Sequence, residues 1–111
     1  MRNATNEMNT NFVIGLDFGT DSVRAVLVDT ANGQTVAAKV HAYQRWGAGK
    51  YIDASANQFR QHPLDHIEGL ESVIAGVISE TKIDPTKVKR ICIDTTGSSP
   101  VPLDESGTAL A

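Results

Sequence analysis

The chain has 111 residues, 41% apolar and 21% charged, and ten Lys and Arg against thirteen Asp and Glu leave a net charge of −3. That is room for one small domain or a piece of a larger one, with a modest core. The balance excludes a nucleic-acid surface, which needs a dense basic cluster and aromatic platforms, and no apolar run approaches the roughly 18 residues of a membrane span.

The N-terminus, MRNATNEMNTN, is polar and has no secretory h-region. Cys92 is the single cysteine and has no internal disulfide partner, which fits a reducing compartment and a cytoplasmic location. Three histidines (His41, His62, His66) and one cysteine offer no zinc spacing.

Residues 1–10 are polar and Asn-rich and read as a disordered arm. The sequon Asn3-Ala4-Thr5 in it, without a signal peptide, reads as unused. Residues 12–18 (FVIGLDF) form an apolar, β-rich run that ends beside an acid, and residues 22–29 (SVRAVLVD) read as a second strand after a Gly19-Thr20-Asp21 turn. Val23, Ala25 and Leu27 share one face, Val26 and Val28 the other, which predicts a sheet covered on both sides. Asn32-Gly33 is a strong hairpin signal. A third strand over 35–43 then completes an antiparallel meander.

Residues 44–62 have no clear period and read as a long loop, which inside a compact unit is usually functional or else a misreading of the segment. Pro63 suits a first helical position. Ile67, Leu70, Ile74, Val77 and Ile78 then recur at three- and four-residue spacing, predicting a helix that stops near Lys82, before Asp84-Pro85. Residues 88–94 (VKRICID) read as a strand that buries Cys92. A short extended segment limited by Pro100 and Pro102 and a turn at 104–107 follow. The expected order is β-β-β-long loop-α-β-β, an α/β arrangement. The sequence stops where another strand would begin, as a cut chain would.

Chemistry concentrates at residues 17–24. An acid at a strand end, a glycine turn and hydroxyls make a phosphate site: Gly19 lets the backbone approach a ligand, Thr20 and Ser22 add donors, Arg24 offsets charge, and Asp17 faces Mg²⁺ or its waters. The same residues also make a plain hairpin turn capped by Asp17, the reading that spacing alone favours, with the phosphate site as its alternative. Residues 94–99 repeat the pattern, with Asp94 at a strand end followed by hydroxyls and Gly97, either as a ligand site beyond the strand or as a solvated turn. Residues 47–50 fail the P-loop pattern at Gln44 and Tyr51, leaving Lys50 as a solvated charge. Ser99 lacks a nucleophile elbow. His62 and His66, four apart at a helix start, lack a third metal ligand and read as capping or exposed.

The run IGLDFGTDSVR at 14–24 resembles the first phosphate motif of the FGGY carbohydrate kinases, whose nucleotide fold is shared with actin, hexokinase and the heat-shock ATPases. The blocks YQRW (43–46), Asp53-Ala54, NQFRQHP (57–63) and DTTGS (94–98) resemble the ribulokinase branch. The resemblance spans residues 12–111 and implies an actin-like ATPase (ribonuclease H-like) fold, with residues 11–111 as the N-terminal portion of the first kinase domain. It implies ATP and Mg²⁺ as cofactors and L-ribulose as the substrate, phosphorylated at its terminal hydroxyl in L-arabinose breakdown.

The roles it implies are residue by residue. Asp17 organises Mg²⁺, the backbone of Gly19, Thr20, Asp21 and Ser22 lies near the ATP phosphates, Arg24 completes the motif, and Thr96-Gly97 lies against the sugar. It places the catalytic base and the adenosine pocket outside this span, so that 111 residues alone are expected to be inactive and Asp94 is not assigned the base. A homo-oligomer of the intact protein is compatible with this reading. Two alternatives stay open: an actin-like ATP-binding module without sugar chemistry, against which the block at 57–63 argues, and a non-catalytic interaction domain.

Overall fold

The computed structural model describes residues 10–97 and 100–110. The sequon at Asn3, the first nine residues of the expected arm, and Ser98 and Ser99 lie outside the described residues. Thr10, the last residue of that expected arm, is buried.

Three strands form in sequence: β1 (Phe12–Phe18), β2 (Ser22–Asp29) and β3 (Thr35–Ala42). They make the expected antiparallel meander, with Asp17 opposite Arg24 and Leu16 opposite Ala25. The Asn32-Gly33 hairpin closes as its residues demand. Gly33 takes φ +71°, its N–H donates to Asp29 O at 2.8 Å, and the Asn32 side chain accepts from Gln34 N at 2.9 Å.

Residues 44–62, read as a loop, carry short elements of their own. They are helix α1 (Gln44–Gly47), β4 (Ile52–Asp53), a 3₁₀ turn at Ala54–Ala56 and β5 (Gln58–Phe59), which pairs with β4. Each is too short to show a period, which is why the sequence reads as irregular there. Helix α2 (Pro63–Thr81) starts with Pro63 in its first turn and the His62 Nδ1 accepting from Leu64 N at 3.0 Å. It ends at Lys82, whose left-handed φ of 55° turns the chain.

The buried stripe of α2 is Asp65, Gly69, Val73 and Val77, spaced by four, with Leu70, Ile74 and Ile78 flanking it. Ile67, expected on that face, is exposed, because the stripe is set by the close approach at Gly69. The helix packs on β2 and β3. A Cβ at Gly69 would sit 2.7 Å from Val23 Cγ1, so only glycine admits this approach. The core beneath is Ile14, Leu16, Val23, Ala25, Leu27, Tyr43, Val73 and Val77, each large aliphatic side chain contributing roughly 1.5–3 kcal/mol on full burial.

After a 3₁₀ turn at Pro85–Lys87, β6 (Val88–Thr95) joins the sheet parallel to β1, giving the order β3-β2-β1-β6. Three expectations are corrected here. The sheet is not covered on both sides by the described residues, since its only long helix lies on one face and over β2 and β3. Cys92 is consequently exposed, as are Ile91 and Ile93. The segment at 100–103 is not a strand of the sheet; Leu103 forms an isolated antiparallel bridge with Ala109 around the expected turn, where Asp104 accepts from Ser106 N and Thr108 N. Among the described residues no helix is long and apolar enough to cross a membrane.

Candidate functional site

The C-terminal ends of β1 and β6 lie side by side, and sheet register brings three charges into one row. Arg24 on β2, Asp17 on β1 and Asp94 on β6 are successive cross-strand partners. All three line a shallow depression of about 390 Å³ on the face opposite α2, floored by Gly15, where a Cβ would meet Val26 Cγ2 at 3.1 Å. Neither carboxylate makes a hydrogen bond or ion pair within the described residues. The reading of Asp17 as a plain cap of its turn therefore has no hydrogen bond behind it. The first turn is closed by a backbone hydrogen bond, Gly19 N donating to Ser22 O at 2.8 Å; a Cβ on Gly19 would press on that oxygen at 3.2 Å.

Two neighbouring unpartnered carboxylates fit a hydrated divalent ion. Mg²⁺ keeps several waters and is held by one or two carboxylates plus phosphate oxygens. Among the described residues no group of three or more His, Cys, Asp or Glu could cage a metal, which leaves that hydrated mode as the one these side chains suit.

On the other side of the Gly19-Thr20 turn lies a cleft of about 540 Å³. It brings Thr20 together with Thr96 and Gly97, and adds Trp46, Gln61 and His66. Of the residues singled out by sequence, Asp17 and Arg24 share the open face, Thr20, Thr96 and Gly97 share the cleft, and Gly19 and Ser22 close the turn between them. Asp21 is exposed and its carbonyl accepts from Tyr43 N at 2.9 Å, which ties the turn to the end of β3.

The cleft wall is built by a network that sequence reasoning missed. Helix α1 has no side-chain cap of its own, since Tyr43 precedes it. Asp65, 1% exposed on α2, supplies the cap from twenty residues away, accepting from Arg45 N at 3.2 Å and Trp46 N at 3.1 Å. The Arg45 guanidinium donates to Asp65 at 3.0 Å and forks onto Glu68 at 2.9 and 3.1 Å. Burial pushes the Asp65 carboxyl up, yet the hydrogen bonds from Arg45 and Trp46 outweigh it and hold it below its ordinary value. Trp46 is thereby fixed in the cleft.

His62 caps α2, as one of the two readings expected, but His66 does neither. Its ring meets Phe18 and Tyr43 edge-on, at 5.9 and 5.0 Å between centroids. Burial lowers its pKa, with Asp65 opposing, so it faces the cleft as a neutral imidazole. Tyr43, buried and with Asp17, Asp21 and Asp65 nearby, has its phenol pushed up to about 12 and stays protonated. Asp94, Trp46, Gln61 and His66 are the site residues not assigned from sequence. Asp94 carried a positional signal, since β1 and β6 each place an Asp one residue before the strand end; Trp46 and Gln61 lie in the family-like blocks at 43–46 and 57–63 without an assigned role, and His66 was expected only to cap or to be exposed.

Residues 12–111 match the N-terminal domain of the FGGY family of carbohydrate kinases. The chain is 47% identical over 102 residues to a ribulokinase of Vibrio parahaemolyticus, covering 89% of this chain and 18% of that one. It is 36% identical over 108 residues to a ribulokinase of Halalkalibacterium halodurans, covering 93% and 19%. In structure it is similar to a gluconate kinase of Lactobacillus acidophilus (TM-score 0.75, 24% identity, 93% of this chain and 19% of that one). A xylulose kinase of the same organism gives a TM-score of 0.73 at 25% identity, over 91% and 19%. These neighbours share the actin-like ATPase fold, and the mixed α/β sheet described above has it. The chain spans about a fifth of the length of the curated relatives it matches. With the family match running through every described strand and helix, the chain belongs to the FGGY family of carbohydrate kinases.

Proposed function

We propose that the protein carrying this chain transfers the terminal phosphoryl group of MgATP to the terminal hydroxyl of L-ribulose, in the cytoplasm, and that residues 11–111 are the N-terminal portion of its first kinase domain. Carbohydrate kinases of this family use ATP and a divalent metal, and the ribulokinase relatives supply the substrate class. The observation that carries the reading is the Gly19-Thr20 turn, with unpartnered carboxylates on one side and a cleft holding Thr96 and Gly97 on the other.

In this reading Asp17, with Asp94 beside it, holds the waters of Mg²⁺, which neutralises charge developing on the phosphates when bound. The N–H groups of Thr20 and Asp21 and the hydroxyls of Thr20 and Ser22 face phosphate oxygens, and Arg24 offsets the carboxylates. Thr96, Gly97 and Trp46 border the sugar. Such a transfer depends on positioning and charge stabilisation, so these residues act by orientation. The base that takes the sugar proton is not among them.

The test is L-ribulose-dependent ADP release by the full-length polypeptide. The unaltered protein releases ADP only with sugar, and Asp17→Asn lowers kcat/KM by about 10²-fold or more, the scale of losing one electrostatic contact to the transition state. An Asp17→Asn protein of unaltered kinetics contradicts the assignment.

A further inference from the structure

We propose that Gln61 is a positioning residue that presets the phosphate-facing turn from inside the cleft, a role that rests on the nucleotide part of the reading above. The Gln61 side chain reaches back some forty residues along the chain. Its Nε2 donates to Thr20 O at 2.6 Å and lies 3.4 Å from Gly19 O. Both acceptors are carbonyls, so only the amide NH₂ can make these contacts and the orientation of the side chain follows from chemistry.

The consequence is geometric. A trans peptide is planar, and its C=O and N–H point in opposite directions. Holding the carbonyls of Gly19 and Thr20 toward Gln61 turns the N–H groups of Thr20 and Asp21 away from it, to the far side of the turn. Neither of those two N–H groups donates to an acceptor among the described residues. Two adjacent free N–H groups make the concave donor pair that takes an anion. Gly19 N and Asp21 O are held by other backbone groups, so the Gly19-Thr20 peptide between them loses its own restraint when the tether is removed, and Gly19, with no side chain, tolerates its tilting. Gln61 also lines the cleft with Thr20, Thr96 and Gly97. A ligand that orders Gln61 from the cleft therefore orders the turn as well, linking the two sides of Gly19-Thr20.

The test uses the full-length protein, with MgADP as the probe in equilibrium calorimetry and steady-state kinetics beside it. Gln61→Met keeps the length and removes both donors; Gln61→Lys restores a donor that reaches the same carbonyls. Gln61→Met is expected to weaken MgADP binding, measured without sugar, and to raise KM for MgATP, by about tenfold, the loss of one well-made hydrogen bond, a larger change than that in KM for the sugar. Gln61→Lys returns MgADP binding to within about threefold of the unaltered protein. Equal MgADP affinity in Gln61→Met overturns the inference, as does a rise confined to the sugar KM. Failure of the unaltered protein to bind MgADP overturns it together with the nucleotide reading. MgADP binding that weakens in Gln61→Met and recovers in Gln61→Lys, without any phosphorylation of L-ribulose, upholds it and removes only the substrate.

Discussion

Replacing Asp65 by Ala removes the acceptor for three donors at once: the N–H groups of Arg45 and Trp46 and one guanidinium nitrogen. The carboxylate is 1% exposed, so water does not replace it freely. Losing an N-cap costs about 1 kcal/mol, and a buried N–H left without an acceptor costs about 1–3 kcal/mol. Breaking a buried ion pair can cost roughly 3–5 kcal/mol, but Arg45 keeps its fork onto Glu68, so its charge is not stranded. A local loss of about 2–3 kcal/mol follows from these terms. At about 1.4 kcal/mol per factor of ten, amide hydrogen exchange at Arg45 and Trp46 should accelerate by roughly 30- to 150-fold in the full-length protein. Asp65→Asn keeps one oxygen and should fall between.

The pH dependence has a definite sign. The folded carboxyl titrates below its ordinary value of 3.8, so its contribution is fully present above about pH 4 and fades as pH falls through the lower folded value. The difference between the unaltered protein and Asp65→Asn should therefore shrink in acid. Exchange rates in Asp65→Ala within threefold of the unaltered protein would refute the trans-cap.

Two further outcomes follow from packing and burial. Gly69→Ala places a methyl 2.7 Å from Val23 Cγ1, on a side chain with no room to retreat; overpacking of about 1–3 kcal/mol exceeds the helix-propensity gain of about 1 kcal/mol, so denaturant unfolding should show a net loss, and a stabilised variant contradicts the close approach. His66, desolvated against Phe18 and Tyr43, should titrate below 6.5 by NMR. Its contribution to stability is then present above pH 6.5 and lost as pH falls through the folded value, and a midpoint at or above 6.5 contradicts its burial.

The strands of the meander and the long helix were legible because each carries a local signal: alternation in residues 22–29, Asn32-Gly33, Pro63 at a helix start, Asp84-Pro85 at its end. The Gly19-Thr20 turn was legible from a glycine and hydroxyls next to an acid, while its chemical role stayed between two readings. What escaped is non-local. Asp65 looks like an ordinary acid in a first helical turn, yet its work is to cap a helix twenty residues earlier. Gln61 lies in the family-like block at 57–63, but nothing in that block says what it touches; its meaning comes from reaching the Gly19-Thr20 carbonyls. The burial of Cys92 was misread because an apolar strand implies a covered one, whereas α2 lies over β2 and β3 and leaves β6 open.

The central claim is tested most directly by identifying the product. The full-length polypeptide, incubated with MgATP and L-ribulose and followed by phosphorus NMR, should yield ADP and a pentulose phosphorylated at the terminal carbon in equal amounts. ADP without sugar phosphate would make this an ATP-hydrolysing module of the same fold, and no nucleotide turnover would leave a binding domain; either contradicts the account.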